Sequence, residues 1–248
     1  MLEAVIFDLD GTLVDSEQHG HRPAFNAAFE AFGLPDRWSP ERYRDLLTTT
    51  GGERRLYGWL SSPESSCSDR PEDERMRLAK ALHQWKTERF ATLAVAGEIP
   101  PRDGVRAWLD ELGHRGVRLA VATTGSRQWA VPLVDKLFGP DRFETLVAGD
   151  EVTHRKPDPE AYLMALDRLA LPADVVVAVE DSGPGWESAH AAGLTCVIVA
   201  NDETDRASVA DADLILDQFV PDPFTILADA LANTASTSTG PARGKMDT

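Results

Sequence analysis

Ala4-Val5-Ile6-Phe7-Asp8-Leu9-Asp10-Gly11-Thr12-Leu13, near the start of the chain, is the stretch whose reading decides the fold. Four consecutive apolar residues predict a strand buried on both faces, as in a parallel sheet covered by helices, and Gly11 marks the turn by which the chain leaves it. Asp8 and Asp10 fall at the carboxyl end of that strand. Strand side chains alternate between faces, so both carboxylates serve one centre only if the chain leaves the strand between them. Two acids crowded there repel each other unless a cation or a shared proton relieves them. A hard, oxygen-preferring ion such as Mg²⁺ is therefore the expected resident, and phosphate chemistry the expected use.

Beyond Leu13 the pattern turns helical and stays so over residues 15–98. Phe25, Phe29 and Phe32, then Leu78, Leu82 and Trp85, recur at three- and four-residue steps, the spacing of amphipathic helices with a common core. Past Gly97 and Pro100-Pro101, apolar runs at 117–123, 145–148, 175–179 and 195–199 alternate with helical segments at 104–115, 158–170 and 183–192. Such alternation implies parallel pairing with right-handed crossovers, hence a doubly wound, Rossmann-like α/β sheet. Residues 1–14 and 99–232 are expected to form that core, with 15–98 as an all-helical cap inserted after strand one, above the strand ends where open α/β sheets place their sites. The Ala/Ser/Thr/Gly-rich stretch 233–248 reads as a disordered tail.

The 248 residues, 42% hydrophobic, suffice for a sizeable core. A net charge of −16 excludes the basic faces that nucleic acids and anionic membranes reward, so neither is an expected partner. No apolar run approaches the roughly 20 residues that span a bilayer, and no basic-then-apolar leader is visible. The two cysteines, Cys67 and Cys196, lack metal-ligand spacing and suit a reducing compartment. A cytoplasmic protein is the expectation, with a monomer as the simplest assembly.

If the site lies at the strand ends, the residues closing each strand carry the chemistry. Strand two ends in Thr123-Thr124-Gly125, a hydroxyl followed by a loop flexible enough to offer N–H groups to a phosphate. Lys156-Pro157 precedes a helical segment, and strand four ends in Glu180-Asp181, two acids that are costly at a buried strand end without a partner. A metal supplies that partner.

The order DxDGT, strand-two Thr, Lys-Pro and strand-four Glu-Asp resembles the four-motif pattern of the haloacid dehalogenase-like hydrolases over nearly the whole chain. The resemblance implies that Asp8 is a nucleophile forming an aspartyl-phosphate and that Asp10 is the general acid/base. Asp8, the Asp10 carbonyl, Glu180 and Asp181 would hold Mg²⁺, and Thr123, Thr124 and Lys156 the transferring phosphoryl oxygens. An acid at position 10 favours a phosphatase or phosphomutase over the dehalogenase, phosphonate-hydrolase and P-type ATPase branches.

Within the insertion, Leu46-Leu47-Thr48-Thr49-Thr50-Gly51-Gly52 and His83-Gln84-Trp85-Lys86-Thr87 are similar to pieces of the CbbY-type sugar phosphatases. That resemblance implies a small phosphorylated sugar as substrate, xylulose 1,5-bisphosphate or a similar bisphosphate. Glu17 and His21 would meet sugar hydroxyls, while Tyr43, Gly51, Gly52, Arg54, Arg55, Lys86 and Arg102 would hold the sugar and its distal phosphate. The chain departs from the subgroup after the glycine pair, where Glu53 stands in place of the usual Lys with Arg54 and Arg55 behind it. An acid there repels phosphate, so the reaction is better specified than the sugar. The alternative is a β-phosphoglucomutase-type phosphosugar mutase, which shares every core residue; a non-catalytic sugar-phosphate binder is disfavoured because no catalytic position is missing.

Overall fold

The computed structural model describes residues 1–49 and 51–238. Strands β1 (Ala4–Phe7), β2 (Arg118–Ala122), β3 (Thr145–Val147), β4 (Val176–Glu180), β5 (Thr195–Val199) and β6 (Leu214–Leu216) form one sheet in the order β3-β2-β1-β4-β5-β6. Every pairing is parallel. The α-helices among the described residues are α1 (Arg22–Ala31), α2 (Pro40–Leu46), α3 (Gly52–Leu60), α4 (Glu72–Ala96), α5 (Val105–His114), α6 (Arg127–Phe138), α7 (Glu160–Leu169), α8 (Gly183–Ala191) and α9 (Pro223–Ser238). The fold is a doubly wound α/β sheet with an all-helical insertion between β1 and β2. None of the described helices is long and apolar enough to cross a membrane.

The chain forms two compact units. The sheet unit comprises Met1–Leu13, Arg102–Arg127 and the residues from Asp141 onward. β1, β4 and β5 are buried along their whole length, which is why the sequence shows unbroken apolar runs there. On one face Ala4, Ile6, Ala120, Ala122, Val176, Ala178 and Cys196 share a core with Tyr162, Ala165 and Leu166 of α7 and Ala189 of α8. Helices α5 and α9 lie against the other. β1 is central, with Ala4 opposite both Arg118 and Val176. The strand order reverses beside it, and ligands gather at such a switch point, outside the carboxyl ends of the strands.

The expected strands match β1 to β5 within two residues at their ends. β6 was not legible: three half-buried residues at a sheet edge carry no run or alternation long enough to mark a strand. The disordered tail expected from Asn233 is corrected in part, because α9 continues through Ser238, its Thr234 hydroxyl donating to Asp213 Oδ1 at 2.8 Å. Residues 239–248 lie outside the described residues.

The second unit comprises Val14–Pro101 and Gln128–Pro140. Its core is aromatic: Phe25 and Phe29 of α1, Tyr43 of α2 and Trp59 of α3 surround Trp38, with ring centroids 4.9 to 5.9 Å apart. Asn26 fixes Trp38 by a pair of hydrogen bonds to its backbone, at 3.0 and 2.8 Å. Phe32, the third member of the expected stripe, ends the helix and is exposed. Helix α4 opens with Glu72, Asp73 and Glu74, which complement the positive end of its dipole, and closes on Gly97 in the left-handed conformation. α6 groups here because Trp129 packs edge-on against Phe90 at 4.9 Å and Lys136 donates to the Ala96 carbonyl at 2.6 Å.

Candidate active site

After Phe7 the chain leaves β1 at once. The Asp8 N–H still pairs with the Val179 carbonyl at 2.9 Å, and Leu13 N–H returns to the Leu9 carbonyl at 3.0 Å, closing a tight loop. Gly11 sits in it at φ +80°, and a Cβ there would lie 2.4 Å from Asp181 Oδ2, so only glycine lets the loop lie against that carboxylate. The departure from the strand is what frees Asp8 and Asp10 from opposite faces.

Lys156 reaches the centre from the segment before α7. Its ammonium donates to Asp8 Oδ1 at 2.6 Å, Glu180 Oε1 at 2.5 Å and the Ala122 carbonyl at 2.8 Å. The Tyr162 hydroxyl also donates to Glu180 Oε1, at 2.7 Å, and lies 3.4 Å from the ammonium. Glu180 Oε2 accepts from Asp181 N–H at 3.2 Å and Ser182 Oγ at 3.3 Å. Glu180 is wholly buried, and these partners commit it to holding Lys156.

Asp181 is held from the other side. Thr12 Oγ1 donates to its Oδ1 at 2.8 Å and Asn201 Nδ2 to its Oδ2 at 2.9 Å. Asn201 also donates to the Gly11 carbonyl at 3.0 Å, and Thr204 Oγ1 to the Asp181 carbonyl at 2.8 Å. Thr123 Oγ1 lies 3.5 Å from Asp10 Oδ2 and accepts from Gly125 N–H at 3.0 Å. Thr124 follows on the same loop.

Carboxylate oxygens of Asp8, Glu180 and Asp181 all fall within 4.8 Å of one another. The cost of this crowding is visible in their acidity. Burial foremost, and the acids Glu180, Asp181 and Asp10, push Asp8 well above the usual carboxylate range against the pull of Lys156. Burial and then Glu180 push Asp181 up to about 7, opposed by the hydrogen bonds from Thr12 and Asn201. Burial alone would lower the Lys156 ammonium, but Asp8 and Glu180 outweigh it and raise it, so it stays charged. An all-oxygen donor set that holds excess negative charge fits a hard divalent cation such as Mg²⁺.

The residues expected at the strand ends thus converge on one centre. Sequence reasoning missed Thr12, Asn201 and Tyr162 as its supports. Asn201 had a signal: it closes the apolar run through β5 as Glu180 closes β4. Tyr162 had none, being one more large residue on the buried face of α7.

Arg102, expected to hold the sugar or its distal phosphate, lies beside the loop after β1. It belongs to the sheet unit, where its guanidinium donates to the carbonyls of Gly11 at 2.8 Å, Val199 at 2.7 Å and Ala200 at 2.6 Å, and it packs over the Phe219 ring. These bonds make it a brace beneath the Gly11 loop.

In the helical unit a second group forms. Tyr43 donates to Glu17 Oε2 at 2.6 Å, and Arg55 donates to the Tyr43 hydroxyl at 3.2 Å and the Leu46 carbonyl at 3.0 Å. Lys86 lies 2.8 Å from His21 Nδ1 and over the rings of Phe25 and Phe90, at 4.7 and 5.0 Å. Burial foremost, then Lys86 and Arg55, lowers His21 well below its usual range, so the ring is neutral and accepts from the ammonium. Gly51, at φ +90°, opens α3, and Gly52 packs on the His83 ring. Glu53 and Arg54 are exposed and stand outside the group that Arg55 joins; Thr50 lies outside the described residues.

Residues 2–225 match the haloacid dehalogenase-like hydrolase family. Protein CbbY of Cereibacter sphaeroides is 40% identical over 222 residues, 88% of this chain and 93% of that protein. A phosphorylated carbohydrates phosphatase of Thermotoga maritima is 31% identical over 193 residues, 78% of this chain and 82% of that one. Among solved structures, a mutant of CbbY from Rhodobacter sphaeroides in complex with xylulose-(1,5)bisphosphate is 38% identical with a TM-score of 0.72, covering 92% of this chain and 99% of its own. With Asp8, Lys156 and the Glu180-Asp181 pair gathered at the strand ends, the chain belongs to the haloacid dehalogenase-like hydrolases, as a phosphoric monoester hydrolase of the CbbY-like group.

Proposed function

We propose that the protein is a Mg²⁺-dependent sugar-phosphate phosphatase that works through an aspartyl-phosphate on Asp8. The observation that carries the reading is the buried contact of Asp8 with Lys156, 2.6 Å, beside carboxylates that crowd within 4.8 Å. Phosphoryl transfer needs little covalent machinery beyond a nucleophile, a proton carrier and neutralisation of charge on the phosphoryl oxygens. Lys156 favours the ionised form of Asp8 against burial and the neighbouring acids, and offsets charge on the phosphoryl group. The Asp8 carboxylate attacks phosphorus, the bond from phosphorus to the sugar oxygen breaks, and Asp10 gives its proton to that oxygen. Asp10 then takes a proton from water, which attacks the acyl-phosphate, releasing inorganic phosphate and restoring Asp8. Thr123 and the loop after it hold phosphoryl oxygens. Asp8, the Asp10 carbonyl, Glu180 and Asp181 would hold Mg²⁺, which would supply the remaining positive charge.

The sugar reading rests on the helical unit. Lys86, Arg55, His21, Glu17 and Tyr43 offer two cations and several hydroxyl partners in one group, suited to a phosphorylated polyol. The CbbY structure in complex with xylulose-(1,5)bisphosphate makes that bisphosphate, or a similar one, the first substrate to test. The buried free thiols of Cys67 and Cys196 suit a reducing, cytoplasmic setting.

The test is a panel of phosphosugars incubated with Mg²⁺ and assayed for inorganic phosphate. Release from xylulose 1,5-bisphosphate well above that from hexose monophosphates is expected. Conversion of β-glucose 1-phosphate to glucose 6-phosphate without net phosphate release would overturn the reading in favour of a mutase.

A further inference from the structure

We propose that Gly149 and Asp150, just past β3, are positioning residues: they clamp the loop that holds the transferring phosphoryl group and thereby set phosphate affinity without touching phosphate. The inference rests on the phosphatase reading and goes beyond it, since neither residue belongs to the strand-end chemistry.

The loop runs from Thr123 to the start of α6 at Arg127. Its composition, Thr-Thr-Gly-Ser, gives it little stiffness of its own. Its contacts supply the stiffness. Gly149 N–H donates to the Gly125 carbonyl at 2.7 Å. A Cβ on Gly149 would lie 2.1 Å from the Thr124 carbonyl oxygen, a backbone-to-backbone approach that no side chain allows. Asp150 grips the far end, its Oδ1 accepting from Arg127 N–H at 3.0 Å and its Oδ2 from Ser126 Oγ at 2.9 Å. The bond from the Arg127 amide, chiefly, keeps the Asp150 carboxyl below its ordinary range.

The clamp is itself anchored. Glu151 Oε2 accepts from Ala148 N–H at 2.9 Å, closing the corner that carries Gly149 and Asp150. Arg168 of α7 donates to Glu151 Oε1 at 2.7 Å, and Arg127 reaches back to Oε2 at 2.9 Å. The loop is thus tied through the corner after β3 to α7, which also carries Tyr162.

Its consequence falls on one atom. With Gly125 N–H fixed by the carbonyl contact behind it, Thr123 Oγ1 accepts from that N–H at 3.0 Å and turns its own proton outward, toward Asp10 and the place of a phosphoryl oxygen. Releasing the clamp frees Gly125 and lets that hydroxyl rotate. The carboxylates of Asp8 and Asp181, just past β1 and β4, are bonded by Lys156, Thr12 and Asn201 and not by the clamp.

That separation is the test. With the full chain and Mg²⁺, KM is measured for p-nitrophenyl phosphate, Kd for inorganic phosphate by calorimetry, and the half-saturating Mg²⁺ concentration by titration. Asp150→Ala should raise KM and phosphate Kd together by about fivefold, the scale of losing a helix-capping carboxylate. The half-saturating Mg²⁺ should not move. Asp150→Asn should behave as the parent, because its Oδ1 still accepts from Arg127 N–H and its amide can donate to Ser126 Oγ. Gly149→Ala should lose on the order of a hundredfold in kcat/KM, as misplacement of a phosphate holder by about 1 Å does. Unchanged KM and Kd in Asp150→Ala would overturn the clamp, and so would a parallel shift in Mg²⁺ requirement, which signals general loosening. A parent protein that neither binds phosphate nor releases it from p-nitrophenyl phosphate would bring down the phosphatase reading itself, and the clamp with it; the parent alone tells the two failures apart.

Discussion

The Lys156 ammonium lies 2.6 Å from Asp8 Oδ1, in a position where its side chain is 5% exposed. It also lies 2.5 Å from Glu180 Oε1, so one cation answers two buried acids. Lys156→Met removes it and leaves both carboxylates uncompensated. Breaking a buried pair in this way costs about 3–5 kcal/mol, because the remaining charge stays desolvated. Turnover should fall at least a hundredfold, and thermal unfolding should shift down in the same variant. Normal phosphate release by Lys156→Met would refute the role given to the ammonium.

Asp8→Asn separates chemistry from folding. The amide keeps the shape of the carboxylate and sheds one charge from a centre in which burial, Glu180, Asp181 and Asp10 all oppose ionisation. The variant should release no phosphate and melt no lower than the parent. An active Asp8→Asn enzyme would end the nucleophile assignment.

Tyr162→Phe tests a support that the sequence concealed. The change keeps the ring in its apolar setting and deletes only the hydroxyl that donates to Glu180 Oε1 at 2.7 Å. A buried charged acceptor that loses one partner costs about 1–3 kcal/mol. We expect a lowered melting temperature and a fall in kcat with little change in KM, measured by phosphate release. Equal losses in KM would point instead to a substrate contact.

The contrast between Lys156 and Tyr162 shows what the sequence makes legible. Strand-end acids, the strand-two threonine and the Lys-Pro pair stand out because polar groups after apolar runs are costly without a purpose. Partners that reach the centre from a helix face, such as Tyr162, look like core in one dimension. The bracing bonds of Arg102 were hidden for the related reason that a cation's partners are invisible in sequence; they run to backbone carbonyls of two separate segments. The loop after Thr123 read as flexible because its restraints come from residues 149 and 150, in another segment.

Arg102 follows as a stability prediction. Arg102→Ala removes a donor from the carbonyls of Gly11, Val199 and Ala200, of which Gly11 keeps Asn201, and withdraws the brace from the loop that carries Asp10. The melting temperature should drop, and kcat should fall for mono- and bisphosphorylated sugars alike. A loss confined to KM for bisphosphates, with stability intact, would restore Arg102 to the distal phosphate.

Acid should weaken the helical unit through His21. Its ring stacks on Phe90 at a centroid distance of 4.0 Å and is held neutral, well below the ordinary value of 6.5, by burial and by Lys86 beside it. An unfolded chain protonates this histidine as pH falls through about 6.5, whereas the folded chain does not. Stability contributed by the neutral ring is therefore fully present above that pH and is lost on acidification, at up to about 1.4 kcal/mol per pH unit. Urea midpoints measured from pH 7.5 down to 5.5 should decline. In His21→Gln, which cannot take up the proton, the decline should be shallower, and equal slopes in the two proteins would show that His21 is not the group responsible.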